Sequence, residues 1–502
     1  MPSSARSGAA RYHLGTRRRL RRARPGATIG RMRRILLVVA ALAAFLTASG
    51  TALGHAYLVS STPAKDAKVQ TAPDVLLMNF NEPIELLNLG DADVVDEDGQ
   101  PVSAGAARRG TDTRQLQIPL QPGLPDGTYT VRYKVIGADS HIIPGVWVFG
   151  VGDGELGPPW FEGDGSGGPS ETSAWGTSSR FLEIVGLGGL IGLLAFRWLV
   201  WAPAVRGGRD VSDADRTAAL TWGRDAFWVG FGVLALGAML AEGYLLVVHT
   251  AGVLGTDVLS ALRDATGISQ VLGDTRFGSL VQLRGALLFG LFAIGAILFI
   301  REYGGAGTPK AATASGPPWA AVLMAALLLS VLGGIAAQGH ASVADWAAVQ
   351  IGAHLVHVVA VAVWLTGLAL VAIVHVRLPK VAPGGGPALA ARVLTRFSAV
   401  ASVAVAVAIA SGLVRTLGEL DDPAQLWGSD YGQSILWKLA LLVPIAVIAL
   451  YNRRIVAALA RVRRPNAPTL RLVRRTASAE LALALVIVLI ATVLVAQVPA
   501  GA

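Results

Sequence analysis

His55 stands directly after Ala52-Leu53-Gly54, whose alanine and glycine are small residues suited to signal-peptidase cleavage. Cleavage there sets an imidazole and a new α-amino group side by side at the mature amino terminus, a nitrogen chelate for a metal ion. Asp139-Ser140-His141 adds a carboxylate and a second imidazole two residues apart, which on an extended segment project to one face. Nitrogen donors with one oxygen in a tetragonal set suit Cu(II), whereas zinc favours a tetrahedral set and calcium an all-oxygen one. His55, Asp139 and His141 are therefore expected to form a single Cu(II) site.

Further histidines and acids lie in strongly apolar sequence. His340 follows Gln338-Gly339, and His354 and His357 are spaced i, i+3 on a helical stripe that continues to Trp364. Met239, Glu242 and His249 share one face of an earlier helix, and Glu183 lies in the span before it. Ionisable groups inside a membrane are functional candidates by default, with a structural hydrogen bond to a neighbouring helix as the competing explanation for the two glutamates. His340, His354 and His357 are expected to receive a metal ion, with Glu242, His249 and Met239 as a further candidate path.

The elements that must position these groups are legible in outline. Residues 1–54 read as a basic leader and signal peptide, with Met32 an alternative start. Residues 55–151 hold β-like runs at 75–80, 92–95, 114–119, 128–135 and 146–151, separated by turns such as Pro125-Asp126-Gly127. This pattern predicts an all-β, antiparallel Greek-key sandwich of the immunoglobulin-like or cupredoxin-like kind. Residues 152–178, rich in Gly, Ser and Pro, read as a flexible or semi-extended linker. Residues 179–502 carry apolar runs at about 179–202, 225–248, 280–300, 318–338, 347–375, 393–415, 433–451 and 477–498, a polytopic α-helical membrane bundle of eight spans.

Composition narrows the function classes. Of 502 residues, 53% are hydrophobic, which together with these runs places most of the chain in a bilayer. The formal charge of +10 sits in the leader and in alternate short loops, with Arg263, Arg276, Arg284 and Arg415 assigned to the opposite side. That asymmetry follows the positive-inside rule and sets the sandwich outside the cytoplasm; no nucleic-acid partner is expected. With no cysteine and five methionines, thiolate sites and a methionine-rich Cu(I) basket are not expected. No nucleotide-binding motif and no catalytic constellation is visible, and an enzyme is not expected.

The segment His55-Ala56-Tyr57-Leu58, with Ser60-Ser61-Thr62-Pro63-Ala64, Asn79-Phe80-Asn81-Glu82-Pro83 and Asp139-Ser140-His141-Ile142-Ile143-Pro144-Gly145, resembles the exported CopC copper-binding domain. That resemblance covers nearly the whole sandwich and implies Cu(II) ligation by His55, Asp139 and His141. Ser140 departs from the glycine common in the family at that place, a change expected to alter the turn without removing a donor. Gly339-His340-Ala341, residues 354–357 and Trp364-Leu365-Thr366-Gly367-Leu368 resemble the CopD family of eight-span copper-handling membrane proteins.

Together the two resemblances imply a multi-pass plasma (inner) membrane protein with its amino-terminal domain extracytoplasmic. It is expected to capture Cu(II) outside and pass copper inward, serving copper homeostasis and resistance, with a cytoplasmic or cuproenzyme acceptor as partner. The alternatives are a membrane-anchored copper chaperone or sequestering protein without transport and, with less weight, a haem-binding or oxidative enzyme.

Overall fold

The computed structural model describes residues 57–87, 92–138, 140–153, 155–160, 173–207, 211–303, 318–338, 346–419, 424–459 and 467–495. His55, Asp139 and His340 lie outside the described residues.

The amino-terminal part is a β-sandwich. One sheet has the order β1 (Leu58–Thr62), β3 (Val75–Phe80), β7 (Gln115–Pro119), β6 (Arg108–Arg109), all antiparallel. The other runs β2 (Lys68–Val69), β9 (Ile142–Val151), β8 (Gly127–Gly137), β4 (Ile84–Glu85), with β5 (Ala92–Val95) also pairing β8. The pairing of β2 with β9 is parallel, a departure from the all-antiparallel expectation. Alternation along β3 and β7 turns Leu76, Met78, Phe80, Leu116 and Ile118 inward, where they meet Val131, Val135, Trp147 and Phe149 of the second sheet.

Strand β8 breaks that alternation, because residues 128–131 are all buried. The reason is the segment that follows β9: Gly157 N–H donates to Thr128 Oγ1 and Trp160 N–H to Thr130 Oγ1, each at 2.8 Å, covering the outer face of the strand. The Arg132 guanidinium lies 5.4 Å from the centre of the Trp160 ring. The first residues of the expected flexible linker are thus laid along the sandwich.

The second part is helical: α1 (Ala174–Arg206, with a π-helical stretch at Phe196–Trp201), α2 (Asp213–Leu254), α3 (Val258–Arg263), α4 (Ala265–Asp274), α5 (Arg276–Tyr303), α6 (Pro318–Ala336), α7 (Ala347–Val381), α8 (Gly386–Glu419), α9 (Gln425–Gly428), α10 (Asp430–Leu459) and α11 (Ala467–Val495). Among the described residues, seven helices (α1, α2, α5, α6, α7, α8 and α10) are long and apolar enough to cross a membrane, and α11 carries a shorter apolar stretch, Ser478–Thr492, at the position of the expected eighth span. Residues such as Val229, Leu240, Ile300, Val403 and Val447 leave more than half their surface uncovered, as side chains facing lipid do. Gly186 lets α1 approach α2 closely, since a Cβ there would stand 3.2 Å from Ala238 Cα.

Candidate functional site

Ser140 falls in the tight connection between β8, which ends at Gly137, and β9, which starts at Ile142. Ser140 N–H donates to Gly137 O and Gly137 N–H to His141 O, both at 2.9 Å, so the backbone reverses there. Ser140 has φ 68°, the left-handed region in which glycine is at ease, and its side chain is buried. Where an extended segment was expected, the described backbone from Gly137 through Ser140 to His141 is therefore a turn. Both ring nitrogens of His141 are shielded from solvent.

The start of the described chain is held at the same end of the sandwich. Tyr57 N–H donates to Asn81 Oδ1 at 2.7 Å, and Asn81 N–H returns to Tyr57 O at 3.2 Å. Three residues after Asn81, Ile84 pairs with Gly137, the last residue of β8 before the turn. The Asn79-Phe80-Asn81-Glu82-Pro83 motif thus crosses between the sheets beside the hairpin.

Arg276, the first residue of α5, joins this end of the sandwich to the bundle. Its guanidinium donates to Ala138 O, next to Asp139, and at 3.0 Å to Ala337 O just beyond α6, while its backbone N–H donates to Glu85 Oε2 at 3.1 Å. Lys134 Nζ reaches Val253 O near the end of α2 at 3.4 Å, and Leu87 packs on Val271, Phe277 and Val281. Burial raises the pKa of Glu85, opposed by its bond from the Arg276 backbone and by the charges of Arg109 and Arg276. The sandwich is docked on the helices directly.

Below that joint, His249 of α2 is buried and stacks on Phe277, ring centroids 3.6 Å apart. His354 and His357 lie on α7, roughly 10–15 Å along the helix from its first residue. His357 Nδ1 is 2.8 Å from Ala408 O of α8. A carbonyl only accepts, so Nδ1 carries the proton and, in the neutral ring, Nε2 keeps its lone pair, the arrangement found in metal-binding imidazoles. The charged neighbour of His354 is Arg415, within α8. Among the described residues no three His, Cys, Asp or Glu side chains stand close enough together to hold a metal ion.

Glu242 is buried and accepts from Arg284 Nη2 at 2.9 Å and Nε at 3.2 Å; Glu183 Oε1 is 3.9 Å from the same guanidinium. Arg284, assigned from sequence to an outer loop, lies within α5 and is fully buried. Met239, half-buried, is one turn from Glu242 on α2. Sequence reasoning gave Arg276 only as a loop charge and Gln338 only as a neighbour of His340, and it did not single out Glu480. Glu480 accepts from Trp364 Nε1 at 3.1 Å and Asn452 Nδ2 at 3.2 Å, and its signal was an acid inside the last apolar run.

The CopC domain family matches residues 58–152, and the family described as Copper resistance protein D matches residues 391–494. The chain is 26% identical over 400 residues to the Copper transport protein CutJ of Bacillus subtilis, covering 79% of this chain and 67% of that protein. It is 34% identical over 98 residues to Protein YobA of Escherichia coli, 19% of this chain and 78% of that one, and 32% identical over 108 residues to Copper resistance protein C of Escherichia coli, 20% and 84%. Among solved structures, CopC from Methylosinus trichosporium OB3b aligns at 24% identity and TM-score 0.18, covering 21% of this chain and 100% of that one. PcoC from Escherichia coli aligns at 29% identity and TM-score 0.17, covering 19% and 98%. With a CopC match on the sandwich and a Copper resistance protein D match on the bundle, the chain belongs to the copper-resistance proteins that fuse a CopC domain to a CopD membrane domain.

Proposed function

We propose that the protein captures Cu(II) outside the cell with His55, Asp139 and His141 and passes copper inward through the bundle. The observation that carries this reading is the Arg276 joint, which ties the backbone beside Asp139 to Ala337, three residues before His340 in the chain. Copper then moves by ligand exchange from a site with few protein donors. His340, His354 and His357 receive it, with His249 and Met239 on α2 as the neighbouring branch. Glu242, beside a guanidinium, is poorly placed to attract a cation and takes the different role argued below.

The multi-pass bundle lies in the plasma membrane with the sandwich outside, the orientation supported by the arginines of the opposite loops. Copper leaves to a cytoplasmic acceptor. Total cellular copper under copper limitation tests the reading. It should fall in cells lacking the protein and stay low with His354→Ala plus His357→Ala. A rise in the deletion would mean efflux; unchanged copper would leave a membrane-anchored chaperone.

A further inference from the structure

Three helices bring charge together deep in the bundle. Glu183 of α1, Glu242 of α2 and Arg284 of α5 are all at least nine-tenths buried, and Arg284 also donates to Gln338 Oε1 just beyond α6. Two carboxyl groups share one guanidinium, so the fully ionised cluster carries one uncompensated negative charge in an apolar surround, which costs several kcal/mol. Moreover, Glu183 Oε1 and Glu242 Oε1 are sealed from solvent and accept from no described N–H donor, while the two carboxyl groups lie within hydrogen-bonding range of each other.

One proton resolves both problems. It makes the cluster neutral and supplies an O–H donor to an acceptor oxygen that otherwise has none. The charged groups facing Glu242 are Glu183 and Arg284. Other titratable groups of the packed helices are engaged elsewhere, among them Arg197 with Glu302, Arg224 with Asp225, Tyr244 with Ser178, His249 on Phe277, Arg276 with the sandwich, His357 with Ala408 O, His354 beside Arg415, and Glu480 with Trp364. That one proton therefore belongs to both carboxyls together.

The cluster is also wired to the copper-receiving end. His249 lies seven residues, about 10 Å, further along α2 towards the sandwich. Gln338, held by Arg284, also donates through Nε2 to Phe277 O at 3.3 Å, the residue on which His249 stacks. A positive charge arriving there is repelled by the guanidinium and favoured by a deprotonated pair, through an interior that screens poorly.

We propose that Glu183 and Glu242, sharing Arg284, hold a single exchangeable proton inside the bundle, and that its release offsets the charge of an incoming copper ion. The step breaks one carboxyl O–H bond, leaves the electron pair on oxygen and sends the proton to water; no electron is transferred. The proton site stands on the geometry alone, whereas the coupling rests on the copper path proposed above.

The test uses the purified full-length protein with Glu183→Gln and Glu242→Gln, which preserve side-chain shape. Infrared difference spectra of the copper-free protein at neutral pH should show a protonated-carboxyl stretch in the wild type that either variant lacks. Copper addition should then release about one proton fewer per chain from each variant than from the wild type. Identical carboxyl bands in all three proteins would overturn the proton site. A lost band with unchanged proton release would overturn the coupling. The cellular copper measurement fails or succeeds separately from both.

Discussion

Ser140 holds a left-handed backbone at the tip of the hairpin that carries Asp139 and His141. For a residue with a Cβ that conformation costs roughly 1–2 kcal/mol, partly recovered because serine loses less chain entropy on folding than glycine. Ser140→Gly should therefore stabilise the protein by about 0.5–1 kcal/mol, read as a raised denaturation midpoint, while copper binding at the hairpin is retained. A lowered midpoint would mean that the serine side chain contributes more than its backbone costs. The donor types at residues 139 and 141 are plain in the sequence. Their setting is not, because an Asp-Ser-His tripeptide is compatible with strand or turn until the pairing of Ile136 with Ile142 closes the hairpin around it.

At the level of elements, the sandwich and the bundle meet through Arg276. Arg276→Ala removes its guanidinium bonds to Ala138 O and Ala337 O, so the hairpin should loosen while the sandwich core stays intact. Amide exchange should quicken at residues 136–142, and copper uptake should fall about tenfold with copper binding by the hairpin preserved, the effect of losing one or two charge-assisted hydrogen bonds. Uptake at the wild-type level would show that docking is dispensable. Glu85 provides a pH signature of the same joint. Its folded pKa is raised by burial, so its contribution is fully present below the ordinary carboxylate range and is lost as pH rises through the folded value. Glu85→Gln should flatten the decline in thermal stability on going from mildly acidic to neutral pH; an unchanged slope would assign that decline to other groups. Strands β3, β5, β7, β8 and β9 are legible as runs of alternating or β-branched residues, whereas β2, β4 and β6 have two residues each and leave no periodic trace.

Across the whole molecule, what the sequence conceals is partnership at long range. Glu183 and Glu242 announce themselves as acids within apolar runs, but Arg284, 42 residues beyond Glu242, reads as a loop charge until α5 is seen to carry it into the bundle. Likewise Glu480 finds Trp364 across 116 residues. The helices were legible by length and apolarity because a bilayer demands both; their mutual rotations were not, because side chains facing lipid and side chains facing other helices are equally apolar.

Docking of the sandwich has a kinetic corollary. On the function proposed above, a capture loop fixed to its own bundle would hand over its cargo in a unimolecular step, at a rate set by geometry and ligand exchange rather than by encounter between separate molecules. Transfer should then be first order in loaded protein, with no dilution penalty, each bundle being served by its own sandwich.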